Sequence, residues 1–464
     1  MKKLRHLFDG MNWYDAVEYA TLMMMAVSVP ISWRLGVWCM ILFCIGSTVK
    51  IVASHHIGNR RLSVPSRICL WGMVLFYLLH LVSISYSSNP VEAWSTVGQM
   101  LPMLLLPLAF LLSDKAYLQQ RHVDALTFLL AATLSLRFVL MLVRYALLSL
   151  YGDALDMFIN EGLSSLVHTM TDCDIPLVVS FLGNFVLVPL RLAVGLFRDT
   201  PMEQYSSCSF CVMHHNYLSL YILTAISLLY GTLVRFWSRK SWHRLRWYVV
   251  ADIVLLAAYV IRSDSRSGLV ALLLLFIACL SHLALVRKQW RVVAMIVSVA
   301  IVGVGVSYLI SPDLYKRAAT MVKHLSQGEE GDVRQTLWVC GIEASMEKPL
   351  FGFGCDGYQE QLTERFHAYD CADGYQKKLN THNQYIETLL TLGFVGLLVL
   401  LTLIVLPIVL SFRNRYFRLP IVLFTLVYAV CLMFEVTLAR QMGLLFLCFW
   451  YCVMMLYLCP RIDR

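Results

Sequence analysis

The sequence is dominated by a series of apolar runs, most of them about 18 to 25 residues long, with short polar stretches between them. A helix of that length crosses the hydrocarbon core of a bilayer, which is about 30 Å thick. A chain in lipid must also satisfy its backbone hydrogen bonds internally. Hydrophobic residues make up 59% of the chain and charged residues only 14%, with a mean hydropathy of +0.67. These observations predict an all-α fold, a polytopic membrane helical bundle.

The apolar runs predict about twelve transmembrane helices. They lie near residues 14–30, 36–54, 69–87, 97–113, 123–150, 213–234, 248–261, 267–286, 292–311, 384–410, 419–437 and 441–459.

Short basic loops predict how these helices are oriented. Clusters of lysine and arginine fall on one side of the predicted spans, at the N-terminus and near residues 60–67, 115–121, 235–246, 287–291, 413–418 and 461–464. Such clusters mark cytoplasmic loops, so the formal net charge of +9 needs no nucleic-acid partner. No small-residue cleavage site follows the first apolar run, so we expect a retained first helix rather than a signal peptide.

Two long polar connections, 151–212 and 312–383, belong to the opposite, outward side. Residues 175–197 are apolar enough to span, but a crossing there would invert every later basic loop, so we interpret them as re-entrant or interfacial. The predicted organisation is helices one to nine at 1–311, a large outward loop domain at 312–383, and helices ten to twelve at 384–464.

One polar stretch, Arg262-Ser-Asp-Ser-Arg266-Ser-Gly268, separates two apolar runs at an outward junction, where positive charge is disfavoured. A cation at such a position needs a partner or water, so it is a candidate for function. Arg266, flanked by Ser265 and Ser267, is the stronger candidate. Arg262 either belongs to the same site as Arg266 or only extends its guanidinium group to the lipid headgroups.

Polar motifs also occur along the second long connection. Residues 333–347 are predicted to form a helix that begins after Asp332, whose carboxylate suits a helix N-terminus, and that carries Arg334 in its first turn. The glycines of Pro349-Leu-Phe-Gly-Phe-Gly354 allow tight turns and close backbone approach. Thr381-His382-Asn383-Gln-Tyr385-Ile-Glu387 then directly precedes an apolar helix.

Arginines and a histidine at the ends of outward helices are suited to binding an anion and accepting a proton. A guanidinium donates two parallel hydrogen bonds to a phosphate and keeps its charge when partly buried. An imidazole exchanges protons near neutral pH and can act as a base. Arg266, Arg334 and His382 therefore indicate transfer from a phosphorylated lipid donor to a hydroxyl. A solvated role for Arg334 and a structural role for His382 are the alternatives.

Other chemistries have less support in the sequence. There is no Asp-x-Asp pair, P-loop or His-Glu-x-x-His motif that would indicate a nucleotide-sugar site or a zinc hydrolase. Cys208-Ser-Phe-Cys211 with His214 and His215 has a spacing that a metal can use, but a second ligand pair is missing, so we expect no metal. Cys355 and Cys371 share one polar loop and are candidates for a disulfide in an oxidising compartment.

Two further arginines, Arg137 and Arg144, are seven residues apart and share one face of a predicted helix. They either line one cavity or pair with an acidic group, and Glu435 near the end of a late helix is a candidate for that group. Tyr385 fits aromatic packing at least as well as substrate contact.

The sequence resembles the O-antigen ligase and O-antigen polymerase superfamily of bacterial cell-envelope enzymes, and most of all the ligases. The resemblance covers roughly residues 213–440. It rests on Ser263-Asp-Ser-Arg266-Ser-Gly268, Arg334-x-x-x-Trp338, Pro349-Leu-Phe-Gly-Phe-Gly354, His382-Asn383-x-Tyr385-x-Glu387 and Leu392-Gly393-Phe-Val-Gly396, with His215-Asn216-Tyr217 and Glu435-x-x-Leu438 also similar.

The resemblance implies a GT-C-type membrane glycosyltransferase in the bacterial inner membrane. It would take glycan from an undecaprenyl-diphosphate carrier and transfer it, on the periplasmic face, to a sugar hydroxyl of the lipid A core. Arg266 and Arg334 would hold the diphosphate, and His382 would position or deprotonate the acceptor. No cofactor is implied, because arginines replace the metal cation. The substrate-binding candidates are Arg262, Ser265, Asn383, Tyr385, His215, Glu435 and Arg144.

Two other functions fit the same residues. A polymerase would extend the carrier-linked glycan instead of using a lipid A core acceptor. A transporter of lipid-linked oligosaccharides would also have many helices and membrane arginines, but it would show repeat symmetry between its halves, whose loop lengths here differ. The connection at 151–212 is longer and more apolar than a small ligase needs, which leaves the choice of substrate open.

Overall fold

A computed structural model describes residues 7–60, 62–151, 214–237, 243–263, 265–298, 333–412 and 418–456. Within these ranges the chain forms helices and turns and contains no β-strand, which confirms the predicted all-α class. The predicted connection at 151–212, its segment 175–197 and the cap residue Asp332 lie outside them, apart from the last residue of one helix at Tyr151.

Fifteen helices are labelled here in chain order: α1 (Trp13–Ile31), α2 (Trp33–Ser54), α3 (Val64–Ser83), α4 (Pro90–Gln99), α5 (Pro102–Leu112), α6 (Gln120–Tyr151), α7 (His215–Phe236), α8 (His243–Arg262), α9 (Arg266–Ser281), α10 (Val333–Ser345), α11 (Gln359–Ala368), α12 (Ala372–Gln376), α13 (Gln384–Ser411), α14 (Arg418–Leu432) and α15 (Gln441–Met455). Residues 290–298 are also helical.

Six of the described helices are long and apolar enough to cross a membrane, namely α2, α3, α6, α7, α9 with the π-turn that follows it, and α13. The pair α4 and α5 makes a seventh if it forms one bent span, and α14 and α15 are shorter apolar helices. The chain is therefore a multi-pass helical membrane protein. Twelve spans remain a prediction, and the predicted span at 292–311 lies mostly outside the described residues.

Two predicted spans differ from the structure. The single helix expected at 97–113 is a pair, α4 and α5, bent by 41°. Pro102 explains the break, because it lacks an amide donor and disfavours a helical residue before it. The helix expected at 419–437 ends at Leu432. After it, Phe434 N donates a hydrogen bond to Cys431 O in a turn. The helix predicted at 333–347 is confirmed as α10.

The helices fall into two compact units. The first combines Met1–Arg60 with Leu112–Ser265, and in it α6 packs against α1, α7 and α8 while α1 and α2 form a hairpin. The second combines Arg61–Leu111 with Arg266–Arg464. There α13 is the central helix and packs against α3, α10 and α14, and α9 packs against α14.

The first unit contains a set of acidic and basic side chains, Asp15, Glu18, Lys50 and Lys115, called here the charge cluster; all but Asp15 are buried. Lys50 Nζ lies 2.6 Å from Asp15 and 3.1 Å from Glu18, and Lys115 Nζ lies 2.5 Å from Glu18. Lys115 was expected in a cytoplasmic basic loop, but its side chain is fully buried. Burial lowers the pKa of Lys115 to about 8, and the Glu18 carboxylate opposes that shift.

The second unit is organised around a break in α13. Gly393 has non-helical backbone angles with φ at +64°, a conformation that favours glycine. The loop Pro349–Gly354 satisfies the backbone groups that the break releases. Phe394 N donates to Pro349 O at 2.7 Å, and Phe353 N donates to Leu390 O at 2.8 Å. A Cβ atom on Gly352 would lie 2.5 Å from Leu390 O, which confirms the predicted close backbone approach.

Candidate functional site

The start of α13 is held by a compact set of polar contacts. Asn383 caps the helix, because its side-chain oxygen accepts hydrogen bonds from Tyr385 N at 2.9 Å and Ile386 N at 3.3 Å. Thr381 is fully buried, and its hydroxyl donates to Glu387 at 2.8 Å. The residue between them, His382, is thereby fixed at its backbone.

A buried carboxylate supports this turn. Glu387 accepts from Thr381 and also from the hydroxyl of Tyr358, which lies in the preceding connection. Burial and the Glu387 carboxylate raise the pKa of Tyr358 well above its ordinary value, so the hydroxyl keeps the proton that it donates. Glu387 belonged to the recognised motif but was not predicted as a site residue. Its position in the first turn of a helix, next to a histidine, was the available signal.

The side chain of His382 is less constrained than its backbone. Its φ angle is +47°, in the left-handed region, and its amide donates to the side chain of Asn380 at 3.1 Å. The imidazole is 30% exposed, and Nδ1 lies 3.7 Å from Oε1 of Glu435, whose side chain is 13% exposed. That separation is too long for a hydrogen bond, so the imidazole and the carboxylate face each other but are not hydrogen-bonded to one another.

Two contacts tie the segment around Glu435 to the start of α13. The side-chain oxygen of Gln384 accepts from Leu438 N at 2.8 Å, in a buried position. The hydroxyl of Tyr385 donates to Ala429 O at 2.9 Å, so this predicted substrate contact has a packing role. Gln384 was not among the predicted site residues.

Arg334 is the second residue of α10 and is partly exposed. Trp338 lies one helical turn later, on the same face, and its ring is 6.3 Å from that of Phe434, the neighbour of Glu435. The helix itself packs closely on α13, since a Cβ atom on Gly341 would lie 2.7 Å from Ile386 and 2.9 Å from Thr381. The face of α10 that carries Arg334 therefore leads toward the segment that contains Glu435.

Three other predicted site residues belong to the first unit. Ser265 donates to the side chain of Asn216 at 2.9 Å, in a buried position at the start of α7. His215, the first residue of α7, stacks on His214 with ring centroids 4.1 Å apart. Arg262 ends α8 and is exposed. Within this unit the residues before Arg266 are thus tied to the start of α7.

Arg266 is the first residue of α9, and Arg144 lies near the end of α6. Their side chains lie outside the described part of the structure. Arg137, predicted to share a face with Arg144, donates to the carbonyl of Pro30 at 3.1 Å. It therefore binds a backbone carbonyl near the end of α1, whereas the sequence had suggested either a shared cavity with Arg144 or an acidic partner.

Cys355 and Cys371 both have free thiols, so the suggested disulfide is absent from the structure. Cys355 is buried beside Asp356, and burial and that carboxylate raise the pKa of its thiol. Among the described residues, no group of three histidine, cysteine or acidic side chains is arranged to hold a metal. Cys208 and Cys211 lie outside those residues.

The arrangement at the start of α13 combines a hydrogen-bonded backbone with a partly exposed imidazole. A carboxylate facing Nδ1 favours the tautomer with a proton on that nitrogen, which leaves Nε2 free to accept a proton. A partly exposed arginine occupies the first turn of the helix packed alongside. Such a site can take a proton from a hydroxyl while an anion is bound nearby.

Comparison with known proteins agrees with the predicted family. Residues 251–401 match the sequence model of a family described as O-antigen ligase. An uncharacterized protein from Haemophilus influenzae (strain Rd) is 29% identical over 126 residues, which are 25% of this chain and 32% of that protein. The chain thus spans about a third of the relative's length. The matched segment contains Arg266, Arg334 and His382, and this part of the chain is similar to the O-antigen ligase family.

Proposed function

We propose that the protein is an O-antigen ligase. It transfers glycan from an undecaprenyl-diphosphate carrier to a sugar hydroxyl of the lipid A core, on the periplasmic face of the bacterial inner membrane. The observation that carries this proposal is the pair formed by His382 and Glu435 at the start of α13, 3.7 Å apart. The family match over 251–401 supports the broader class, a membrane glycosyltransferase of the ligase or polymerase type.

In the proposed reaction, the acceptor hydroxyl attacks the anomeric carbon of the glycan. The new bond forms to the acceptor oxygen, while the bond from the anomeric carbon to the diphosphate oxygen breaks. His382 takes the hydroxyl proton on Nε2. Glu435 moves within hydrogen-bond distance of Nδ1, fixes the tautomer and stabilises the imidazolium that forms.

The leaving group is the carrier diphosphate, and its developing charge requires cations. Arg334, in the first turn of α10, and Arg266, at the start of α9, are assigned to that role. Guanidinium groups suit it, because they bind two phosphate oxygens at once and stay charged beside a membrane. No metal ion is needed in this scheme, since the arginines supply the electrostatic stabilisation.

The remaining predicted residues are assigned to substrate binding. Asn383 and Tyr385 shape the turn around His382, and Ser265 and His215 belong to the first unit near Arg262. Glu435, which the sequence had suggested as a substrate-binding residue, is assigned instead to the positioning of His382. Arg144 keeps its predicted role in substrate binding.

Two assays distinguish the proposed reaction from its rivals. Purified protein in lipid nanodiscs receives carrier-linked glycan with or without lipid A core. A ligase forms the joined product only with the core acceptor, whereas a polymerase lengthens the carrier-linked glycan without it. A strain lacking the gene provides the second assay, because loss of a ligase leaves long glycan on the carrier and loss of a polymerase leaves single repeats. Transport without any new glycosidic bond would refute both enzymatic functions.

A further inference from the structure

One side of α10 carries an exposed apolar stripe. Val339, Ile342 and Met346 are spaced three and four residues apart, so they lie on one face of the helix and its C-terminal turn. Their exposed fractions are 43%, 45% and 52%. The opposite side of the helix, with Leu337 and Cys340, is buried against α13. The helix is therefore apolar on two sides, and within the described part of the chain the side with Val339, Ile342 and Met346 stays exposed.

The stripe continues along the chain into the loop that follows. Leu350 and Phe351 are 62% and 61% exposed, although they lie in a loop whose backbone is firmly held. Tyr86 donates to Phe351 O at 2.9 Å, which fixes the loop on its inner side. Together, Val339, Ile342, Met346, Leu350 and Phe351 form what is called here the apolar face.

The apolar face is continuous with the surface of a membrane-spanning helix. Backbone hydrogen bonds join Phe394 to Pro349 at 2.7 Å and Val395 to Leu350 at 3.3 Å, just after the break in α13. On α13 itself, Phe394 and Leu398 are 47% and 67% exposed. A spanning helix presents such side chains to lipid hydrocarbon, so the apolar face adjoins a surface that is suited to lipid contact.

The position of the break in α13 indicates how deep Gly393 lies in the bilayer. Residues 394–411 follow it, and at 1.5 Å per residue they extend over about 27 Å. That length is close to the hydrocarbon thickness of about 30 Å. Gly393 therefore lies near the boundary of the hydrocarbon core on the side where α13 begins, and the loop with Leu350 and Phe351 lies at the same level.

Charged side chains border the apolar face. Arg365 lies 2.7 Å from Glu347 and 3.7 Å from Glu343, and all three side chains are exposed to solvent. Lys348 lies over the ring of Phe353, with its Nζ 4.8 Å from the ring centre. An apolar stripe beside charged groups is typical of a helix that lies in a membrane interface.

We propose that the apolar face is a membrane-contact surface. The lipid of the leaflet on the side where α13 begins covers Val339, Ile342, Met346, Leu350 and Phe351, and it holds α10 at the bilayer surface. If the proposed function holds, this contact keeps Arg334 at the depth of a lipid-linked diphosphate. The lipid contact itself does not depend on that function.

Photocrosslinking tests the proposal without requiring turnover. The photoreactive residue p-benzoylphenylalanine replaces Ile342, Met346 or Phe351 in separate full-length variants. Leu398 serves as the positive control, and exposed Glu364 on α11 is the matched control in the same unit. The variants are placed in nanodiscs of phosphatidylethanolamine and phosphatidylglycerol, irradiated, and analysed for lipid adducts by mass spectrometry.

We expect lipid adducts at Ile342, Met346 and Phe351 at a level close to that at Leu398 and several-fold above that at Glu364. Adducts at these three positions no more frequent than at Glu364 would overturn the proposal. Crosslinks to another segment of the chain or to a second copy would also overturn it, because protein would then cover the face. Three positions are tested, so misfolding of one variant leaves two. A protein inactive in transfer can still give the expected adducts, which separates this test from that of the proposed function.

Discussion

The charge cluster and the start of α13 both place ionisable groups in a largely apolar protein, but they differ in how those groups are held. In the charge cluster, each lysine lies within 3.1 Å of a carboxylate, and the Lys115 and Glu18 side chains are fully buried. At the start of α13, His382 is 30% exposed and lies 3.7 Å from Glu435. The paired groups of the charge cluster are inaccessible to a substrate, whereas the imidazole of His382 is accessible.

This difference separates a structural role from a chemical one. Ionised groups that are fully paired and buried cannot reach a substrate, and breaking such a pair destabilises the fold. A histidine whose backbone is fixed while its ring stays accessible can exchange a proton with a bound molecule. We therefore expect substitutions in the charge cluster to change stability, and substitutions around His382 to change turnover.

The largest effect on turnover after the loss of His382 is expected from Arg266→Lys. Lysine keeps the charge but loses the planar fork that binds two phosphate oxygens. Removal of one preorganised donor at a developing charge slows reactions by about 10² to 10³. The rate of glycan transfer in nanodiscs measures this loss. Arg365→Lys, on the surface of the same unit, is the matched control and should not change the transfer rate. A wild-type rate for Arg266→Lys would mean that charge alone suffices.

A smaller loss is expected from Glu435→Gln. The amide can still contact His382, but it no longer stabilises an imidazolium, so kcat should fall by about tenfold to a hundredfold. The KM for the carrier-linked donor should not change, because Glu435 acts on the histidine and not on the diphosphate. Asp373→Asn, which removes an exposed carboxylate of the same unit, serves as the control. An unchanged kcat would show that Glu435 does not position His382.

In the charge cluster, Glu18→Gln should leave the kcat of the folded protein unchanged and should lower its stability. Removing one partner of a buried ion pair costs about 3 to 5 kcal/mol, because the other charge stays buried without compensation. Thermal unfolding in detergent measures the loss. Replacing Lys115 by methionine in the same variant should restore part of it. A variant of normal stability that fails to transfer glycan would place the charge cluster in the catalytic machinery.

The smallest effect is expected from chelation. EDTA should not abolish transfer, because the proposed site neutralises the diphosphate with arginines. The assay compares turnover in nanodiscs before and after EDTA treatment, followed by re-addition of magnesium. Loss of activity that magnesium restores would contradict the metal-free mechanism.

The fold class was predictable because apolar length alone dictates helices in a membrane. Helix α10 and the glycine-dependent loop Pro349–Gly354 were also predictable, since their signals are local. The break between α4 and α5 was missed although Pro102 signals it, because the apolar run continues across the break. The burial of Lys115 was not predictable, since its partner Glu18 is distant in sequence and meets it only through tertiary packing.

At the candidate site, the motifs indicated His382 and Arg334, but not how their neighbours are arranged. The cap residue Asn383 could be identified from its place before an apolar helix. The contact of Glu435 with His382 depends on the end of α14 and on the link from Gln384 to Leu438, which local patterns do not encode. Glu387 has the same limitation, because one of its partners is Tyr358, twenty-nine residues earlier.

The most direct test of the central claim is the transfer rate of His382→Ala in nanodiscs, with carrier-linked glycan and lipid A core, measured beside Asp373→Asn as a correctly folded control. The account predicts that His382→Ala binds the donor with normal affinity but forms product at a rate lower by about 10² to 10⁴, the usual contribution of a general base. Full transfer activity in His382→Ala would contradict the account, because the start of α13 would then have no chemical role.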